Sequence, residues 1–289
     1  MTSAPLTLTA PAKINLSLRV HRRREDGFHE LETLMVPIGL ADRLTLERVV
    51  GPAGKLDFSC SDPEVPDDDS NLVVRALRKL GGVCGPLPAL RVHLEKRIPH
   101  GAGLGGGSSD AAAALRGGDA LFGLGLPRPV LRDLAAELGS DVPFFLEGGA
   151  CACRGRGEII EPRPDLRWRL PVLLLKPTFP VPTPWAYRQW ATAPALPGII
   201  YAPQEVPTPD GGSITLVNDL ERPVFAKHLV LADMKMWLLD RPEVAGALMS
   251  GSGSTMIVVL RSPEPAAALA AAAAVEFGES LWRWQGTTG

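Results

Sequence analysis

The stretch PHGAGLGGGSSDAAAA, residues 99–114, decides the reading of this chain. Five glycines and two serines run straight into the four alanines Ala111, Ala112, Ala113 and Ala114, with almost no bulky side chain between them. Glycine tolerates positive φ and lets backbone N–H groups come close to a ligand. A helix starting there adds unpaired N–H donors and the positive end of its dipole. Alanine favours helix most strongly, so the segment after the loop reads as helical to about Phe122. Upstream, Leu90, Val92 and Leu94 alternate with Arg91, His93 and Glu95, the period of a half-buried strand. Strand, glycine loop and helix in that order make an anion cradle. A flexible linker accounts for neither the strand nor the helix.

Gly101, Gly103 and Gly106 also satisfy G-x-G-x-x-G. A dinucleotide fold needs a second strand ending in an acidic residue about 20 residues on, whereas here the pattern stays helical and then turns between Gly123 and Pro127. No G-x-x-x-x-G-K-[ST] occurs, so the loop is not a Walker type either. It is a third kind of phosphate loop.

The 289 residues suit two domains or one large one, and 45% hydrophobic residues describe an ordinary globular protein. Thirty basic and 32 acidic residues leave a net charge of −2, with no broad basic field for nucleic acid or an anionic membrane. An anion site must then be local. Cys60, Cys84, Cys151 and Cys153 show no zinc spacing and read as small hydrophobes in a reducing compartment. The longest apolar run, residues 266–275, is too short to span a bilayer, so the expected location is the cytoplasm.

Patterning predicts strands near Leu6 to Leu18, Arg43 to Arg48 and Leu56 to Cys60, then a helix from about Asn71 to Leu80 capped by Asp69 or Ser70 and ended by Gly81. Another helix, from Pro129 to Leu138, ends at Gly139 as a C′ residue. Prolines crowd the span from Pro162 to Pro209, which reads as an irregular connection carrying one short strand, Val172 to Leu175. Beyond it come a helix near Leu231 to Leu239, a strand from Met256 to Leu260 and an Ala-rich helix after Pro265. Strands and helices segregate without strict alternation, which predicts an α+β fold with domains at residues 1–165 and 166–289.

A second small-residue loop, SGSGST from Ser250 to Thr255, precedes that late strand. By itself it is a turn. Two Gly/Ser loops in one chain fit an extended polyphosphate, or two phosphorylated ligands brought together for phosphoryl transfer. Two charged residues have the right chemistry for that reaction. Lys13 lies in PAKINL, on the strand face it shares with Asn15 and Ser17, and Asp141 lies in GSDVPFF, before an apolar run that can shield it. A carboxylate can accept a substrate hydroxyl's proton, and a nearby ammonium keeps that carboxylate ionised.

In order, PAKINL, DGFHEL, GAGLGGGSSDAA, GSDVPFF, PTPWAY and SGSGS resemble the GHMP kinase superfamily over nearly the whole chain. The two glycine loops carry the superfamily. DGFHEL, SDVPFF and PTPWAY narrow the resemblance to the branch acting on a cytidine-diphosphate-bearing methylerythritol in the non-mevalonate isoprenoid pathway.

The resemblance implies a two-domain GHMP kinase fold, with an N-terminal ribosomal-protein S5-like domain that binds ATP and a C-terminal ferredoxin-like domain that binds substrate. It implies transfer of the γ-phosphate of ATP to the acceptor's tertiary 2-hydroxyl. Asp141 would be the base and Lys13 its electrostatic partner. Gly101, Ala102, Gly103, Leu104, Gly105, Gly106, Gly107, Ser108 and Ser109 would cradle the ATP phosphates, with Asn71 and Lys96 near the adenosine. Phe28 and Tyr187 would flank the cytosine and His29 would meet its edge, with Asn15 and Thr183 nearby, while Gly251 and Gly253 would hold substrate. Phe28 stands where the family often has Tyr, keeping an aromatic face without the hydroxyl. Mg2+ is expected with ATP because two polyphosphates meet only when their charge is neutralised; Ser108 or Ser109 is placed to hold it, and no acidic ligand stands out. Homoserine or mevalonate kinases of the same fold give no reason for an aromatic and histidine clamp, and a regulatory nucleotide binder gives none for keeping Lys13 and Asp141.

Overall fold

The computed structural model describes residues 4–289, which form two compact α+β units. One comprises the residues up to Ala12, Leu40–His100 and Gly105–Gly148; the other comprises Lys13–Gly39, Gly101–Leu104 and Gly149–Gly289. Two long strands, β1 (Leu6–Arg23) and β2 (His29–Arg48), contribute to both.

In the first unit, β3 (Leu56–Cys60) runs parallel to β4 (Leu90–Glu95), and β4 pairs antiparallel with the second half of β2, Arg43 opposite Glu95. Three helices complete the unit: α1 (Leu72–Cys84), α2 (Gly106–Phe122) and α3 (Arg128–Leu138). Leu44, Leu46, Val92 and Leu94 line the sheet side of the core, and the four alanines of α2 are fully buried. Two glycines inside α2 cost helix propensity and gain proximity. A Cβ at Gly117 would come within 2.6 Å of Leu46 and 2.7 Å of Leu8, and one at Gly118 within 2.6 Å of Leu80. The helix therefore lies close to the sheet and to α1 at once.

Helix α1 differs from its expected bounds. Asn71, not Asp69 or Ser70, is the N-cap, its Oδ1 accepting the Val73 N–H at 2.8 Å. The helix passes through Gly81 and Gly82 to Gly85, where φ is +86°. An interior glycine costs only about 1 kcal/mol, and the fully buried Leu80 anchors the last turns. Gly139 does receive the end of α3, its N–H donating to the Ala135 carbonyl, but in extended rather than left-handed conformation.

The second unit holds a four-stranded antiparallel sheet ordered β10 (Val244–Met249), β11 (Met256–Leu260), β7 (Pro171–Lys176), β12 (Trp282–Thr287). Numbered along the chain this is the 4-1-3-2 order of a ferredoxin-like sheet. Helices α6 (Leu229–Leu239) and α7 (Ala266–Phe277) share one apolar cluster with Leu173, Leu175, Val258 and Leu260. Also in this unit, β5 (Cys151–Gly155) joins the first half of β2 and pairs with β6 (Ile159–Pro162), while β9 (Ser213–Asn218) runs parallel to β1 and pairs with β8 (Gln204–Pro207).

The proline-dense span is more regular than its composition predicts. It contains β7, β8 and a short helix, α4 (Thr183–Gln189). Three of its prolines stand where a missing N–H costs little: Pro184 in the first helical turn, Pro171 opening a strand, Pro207 closing an edge strand.

The first glycine loop meets the second inside this unit. Gly103 has φ +75°, and a Cβ there would strike the Ser250 carbonyl oxygen and lie 3.1 Å from that of Gly253. The Ser250 hydroxyl donates to the Gly103 carbonyl at 3.0 Å, and the Lys13 N–H donates to the Leu104 carbonyl at 2.9 Å.

Leu46→Ala empties a site touching both sheet and helix and is expected to lower stability by about 2–5 kcal/mol, read from the denaturant midpoint at constant slope. Gly103→Ala forces a side chain into left-handed backbone against a carbonyl, so it should cost more than the roughly 1–2 kcal/mol of the backbone conformation alone. An unchanged melting temperature in Gly103→Ala would show that the two loops separate freely.

Candidate active site

In the second unit the buried strand β1 carries Lys13 and Asn15 on one face. The Lys13 ammonium donates to Asn15 Oδ1 at 2.7 Å, Asn15 Nδ2 donates to Thr33 Oγ1 at 2.8 Å, and the Thr33 hydroxyl donates to the Ser17 carbonyl at 2.6 Å. This relay fixes a cation that is only 4% exposed. A Cβ placed on Gly251 would lie 3.3 Å from Asn15 Oδ1, 3.4 Å from the Gly103 carbonyl and 3.6 Å from Lys13 Nζ. Lys13, Asn15, Gly103 and Gly251 are thus brought together around backbone that no side chain can cover.

The second loop is held from outside by residues that sequence reasoning missed. Asn218, at the end of β9, donates to the carbonyls of Met249 and Gly251 at 2.6 and 2.7 Å and accepts from the Leu220 N–H at 2.9 Å. Glu221 opens helix α5 (Glu221–Lys227), accepts from the Met249 N–H at 2.9 Å and pairs with Lys235 at 2.6 Å. Burial pushes the Glu221 carboxyl above its ordinary pKa against the pull of Lys235. The Thr183 and Ser252 hydroxyls lie 2.8 Å apart, and Ser254 donates to the Phe179 carbonyl at 2.6 Å. The only legible trace of this support is a short polar run, Asn218, Asp219 and Glu221, within apolar neighbours.

An aromatic cluster forms in the same unit. The ring of His29, first residue of β2, stacks on Tyr187 with centroids 6.0 Å apart and meets Trp190 edge-on at 5.6 Å. Burial, with Arg23 nearby, lowers the His29 pKa, favouring a neutral imidazole that offers one donor and one acceptor. Phe28 is 51% exposed and lies under the Arg156 guanidinium at 4.9 Å. Trp190 and Arg156 gave no motif signal.

In the first unit the phosphate loop enters α2 through Gly105, which has φ +71°, and Gly106, Gly107, Ser108 and Ser109 make the first turn. Lys96 faces that turn, since a Cβ on Gly106 would lie 3.2 Å from its Nζ. Two carboxylates hold the ammonium: Asp110 Oδ2 at 2.8 Å, and Asp42 Oδ2. Asp42 Oδ1 also accepts the N–H groups of Arg97 and Ile98, at 2.5 and 2.8 Å. Burial pushes the Asp110 carboxyl up to about 7, opposed by Lys96. Burial works against the Lys96 ammonium too, yet the charges of Asp110 and Asp42 outweigh it and raise its pKa. Asn71, beside this region in sequence only as a helix cap, donates to the Pro66 carbonyl at 2.7 Å. Asp141 is half-buried just before a 3-10 turn, Pro143–Leu146, whose Phe144 and Phe145 are buried edge to face.

Among the described residues no cluster of three or more His, Cys, Asp or Glu side chains forms a metal site. Ser109 Oγ is buried with no hydrogen-bond partner, a free hydroxyl in the first turn of α2.

Residues 71–149 match the family model for the GHMP kinases N terminal domain. The chain is 42% identical to the 4-diphosphocytidyl-2-C-methyl-D-erythritol kinase of Methylacidiphilum infernorum over 91% of this chain and 89% of that one. It is 37% identical to the enzyme of the same name from Salinibacter ruber, covering 92% and 93%. A crystal structure of 4-(cytidine 5'-diphospho)-2C-methyl-D-erythritol kinase superposes with a TM-score of 0.78 at 38% identity, over 98% of this chain and 99% of that one. Homoserine kinase from Cytophaga hutchinsonii, at 18% identity and a TM-score of 0.68, shares the fold, with 99% and 95% of the chains covered. With relatives this similar along nearly its whole length, the chain belongs to the 4-diphosphocytidyl-2-C-methyl-D-erythritol kinases of the GHMP superfamily.

Proposed function

We propose that the chain transfers the γ-phosphate of ATP to the 2-hydroxyl of 4-diphosphocytidyl-2-C-methyl-D-erythritol, a step toward isoprenoid precursors. The activity follows from the family; the assignment of roles is our own. What carries it is the pairing of the His29 and Tyr187 rings in the same unit as the Lys13 ammonium and the backbone of Gly251. Stacked rings suit a flat pyrimidine, and a neutral imidazole can give and take a hydrogen bond at its edge. Homoserine or mevalonate would leave that surface unused.

Asp141 takes the proton of the 2-hydroxyl, and the freed oxygen bonds to the γ-phosphorus as the bond to the β,γ-bridging oxygen breaks and ADP leaves. Lys13 serves as the electrostatic partner of this step and steadies charge on the attacking oxygen. The loop from Gly101 to Ser109 binds the ATP phosphates through its N–H groups, Asn71 and Lys96 meet the adenosine, and Asn15, Phe28, Thr183 and Gly253 complete the acceptor side. We set the domain boundary at residues 165 and 166: the ATP groups all precede it, while the acceptor side draws Asn15, Phe28 and His29 from before it and Thr183, Tyr187, Gly251 and Gly253 from after it.

Mg2+ would be held here by a serine hydroxyl, Ser108 or Ser109, of which Ser109 Oγ is buried with no other partner, an oxygen donor of the kind this hard cation takes. Bound there, it neutralises phosphate charge. No helix among the described residues is long and apolar enough to cross a membrane, and a reaction between two water-soluble phosphorylated metabolites belongs in the cytoplasm.

ADP release should be seen with ATP, Mg2+ and the cytidylyl acceptor, and be absent with homoserine, mevalonate or phosphomevalonate. Turnover with one of the others would void the cytosine assignment. Asp141→Asn should retain nucleotide binding while losing about 10² to 10⁴ in turnover; near-normal turnover would remove Asp141 as the base.

A further inference from the structure

A lysine ammonium has three N–H donors and turns freely on a four-carbon stem. At Lys96 two of the three are spent, one on Asp42 Oδ2 and one on Asp110 Oδ2. Both carboxylates are buried, and the lysine side chain is only 8% exposed. Neither acid is itself free to move. Asp42 is pinned by the Arg97 and Ile98 N–H groups, and Asp110 sits in the rigid, alanine-packed α2 helix. The ammonium is therefore tied at two points set nearly 70 residues apart in sequence, and its third N–H has one fixed direction beside Gly106, where α2 begins. Asp110 Oδ1 is buried without a hydrogen-bond partner, so the hydrogen bond that Asp110 makes through Oδ2 is spent on Lys96.

Two carboxylates around one cation is an unfavourable arrangement for stability. Three ionisable groups are desolvated together, and burial and the Asp42 carboxylate both work against ionisation of Asp110. It is also a poor way to attract phosphate, since the ammonium is already engaged by two carboxylates. What it does achieve is direction. A single aimed donor can distinguish a ring acceptor from a ring N–H, because a donor facing a donor leaves both unpaired in a dry site.

We propose that Asp42 and Asp110 are positioning residues that aim the remaining N–H of Lys96 and so set which purine nucleotide this kinase accepts. The inference rests on the reading that Lys96 meets the adenosine. The two acids touch no substrate; they act through the lysine.

The test compares kcat/KM for ATP and GTP with the cytidylyl acceptor, in the full-length enzyme. The two nucleotides share their phosphates and ribose, so the ratio reports on the base alone. Asp110→Asn keeps the shape of the side chain and removes its charge, and should lower the ATP to GTP ratio by about tenfold, with KM for the acceptor unchanged. Asp42→Asn should do the same, and Asp110→Glu should partly restore the ratio. Lys96→Met should lower it as far as any single change, and Asp110→Asn added to Lys96→Met should lower it no further. A ratio unchanged in Asp110→Asn while Lys96→Met collapses it overturns the positioning role and leaves Lys96 at the base. A ratio unchanged in Lys96→Met overturns the placement of Lys96 itself. Multiplying effects in the double variant would show that Asp110 acts independently of the lysine, which also overturns the proposal.

Discussion

The approach of Gly103 to the carbonyls of Ser250 and Gly253 is the constraint on which the second unit's site depends. Backbone meets backbone there with no room for a Cβ. The Ser250 hydroxyl then reaches the Gly103 carbonyl, and the Lys13 amide reaches the Leu104 carbonyl. Lys13 and Asn15 come to lie against Gly251 as a consequence. Glycine is needed at these points for two separate reasons, positive φ and the absence of a side chain, and Gly103 requires both.

Small residues cannot hold such a shape by packing, so polar groups outside the loop do it. Asn218 has all its hydrogen-bonding atoms engaged, two donors on loop carbonyls and an acceptor on its own chain. Glu221 takes the Met249 amide and is balanced by Lys235. A half-satisfied network of this kind would be worse than an apolar filling. A satisfied one gives the loop a single conformation, which a ligand need not then impose at its own expense.

Charge in the first unit follows the same logic at a different point. Asp42 caps the backbone of Arg97 and Ile98, holds Lys96 and through it meets Asp110 on the helix that the phosphate loop feeds. Helix α2 can stand beside that cluster only because Gly117 and Gly118 let it sink between the sheet and α1. The glycine-rich loop and the glycines inside the helix therefore do different work: the former turn the backbone through positive φ, and the latter let α2 lie close against the sheet and α1.

Much of this was legible from residue order alone. The strand, glycine loop and alanine helix, the α+β class, and the late strand and its preceding loop all follow from local chemistry: glycine where the backbone must bend or be bare, alanine where a helix must be thin, alternation where one strand face is buried. The kinase family came from the resemblance of six ordered motifs. The 20-residue span of β2 was not legible, since burial at Met35, Val36 and Ile38 breaks the alternation and the two halves pair with different partners. The order hidden in the proline-rich span escaped as well, because each proline's cost depends on which neighbour its missing N–H would have faced. Asp42 and Trp190 carry no local signature, and Asn218 and Glu221 only a short polar run: a carboxylate or amide becomes a clamp only through the backbone it meets 28 to 56 residues away. Sequence by itself determined which chemical groups this protein owns and where its chain must bend; only the tertiary structure decided which buried charges face each other, because desolvation makes that choice among residues distant in the chain.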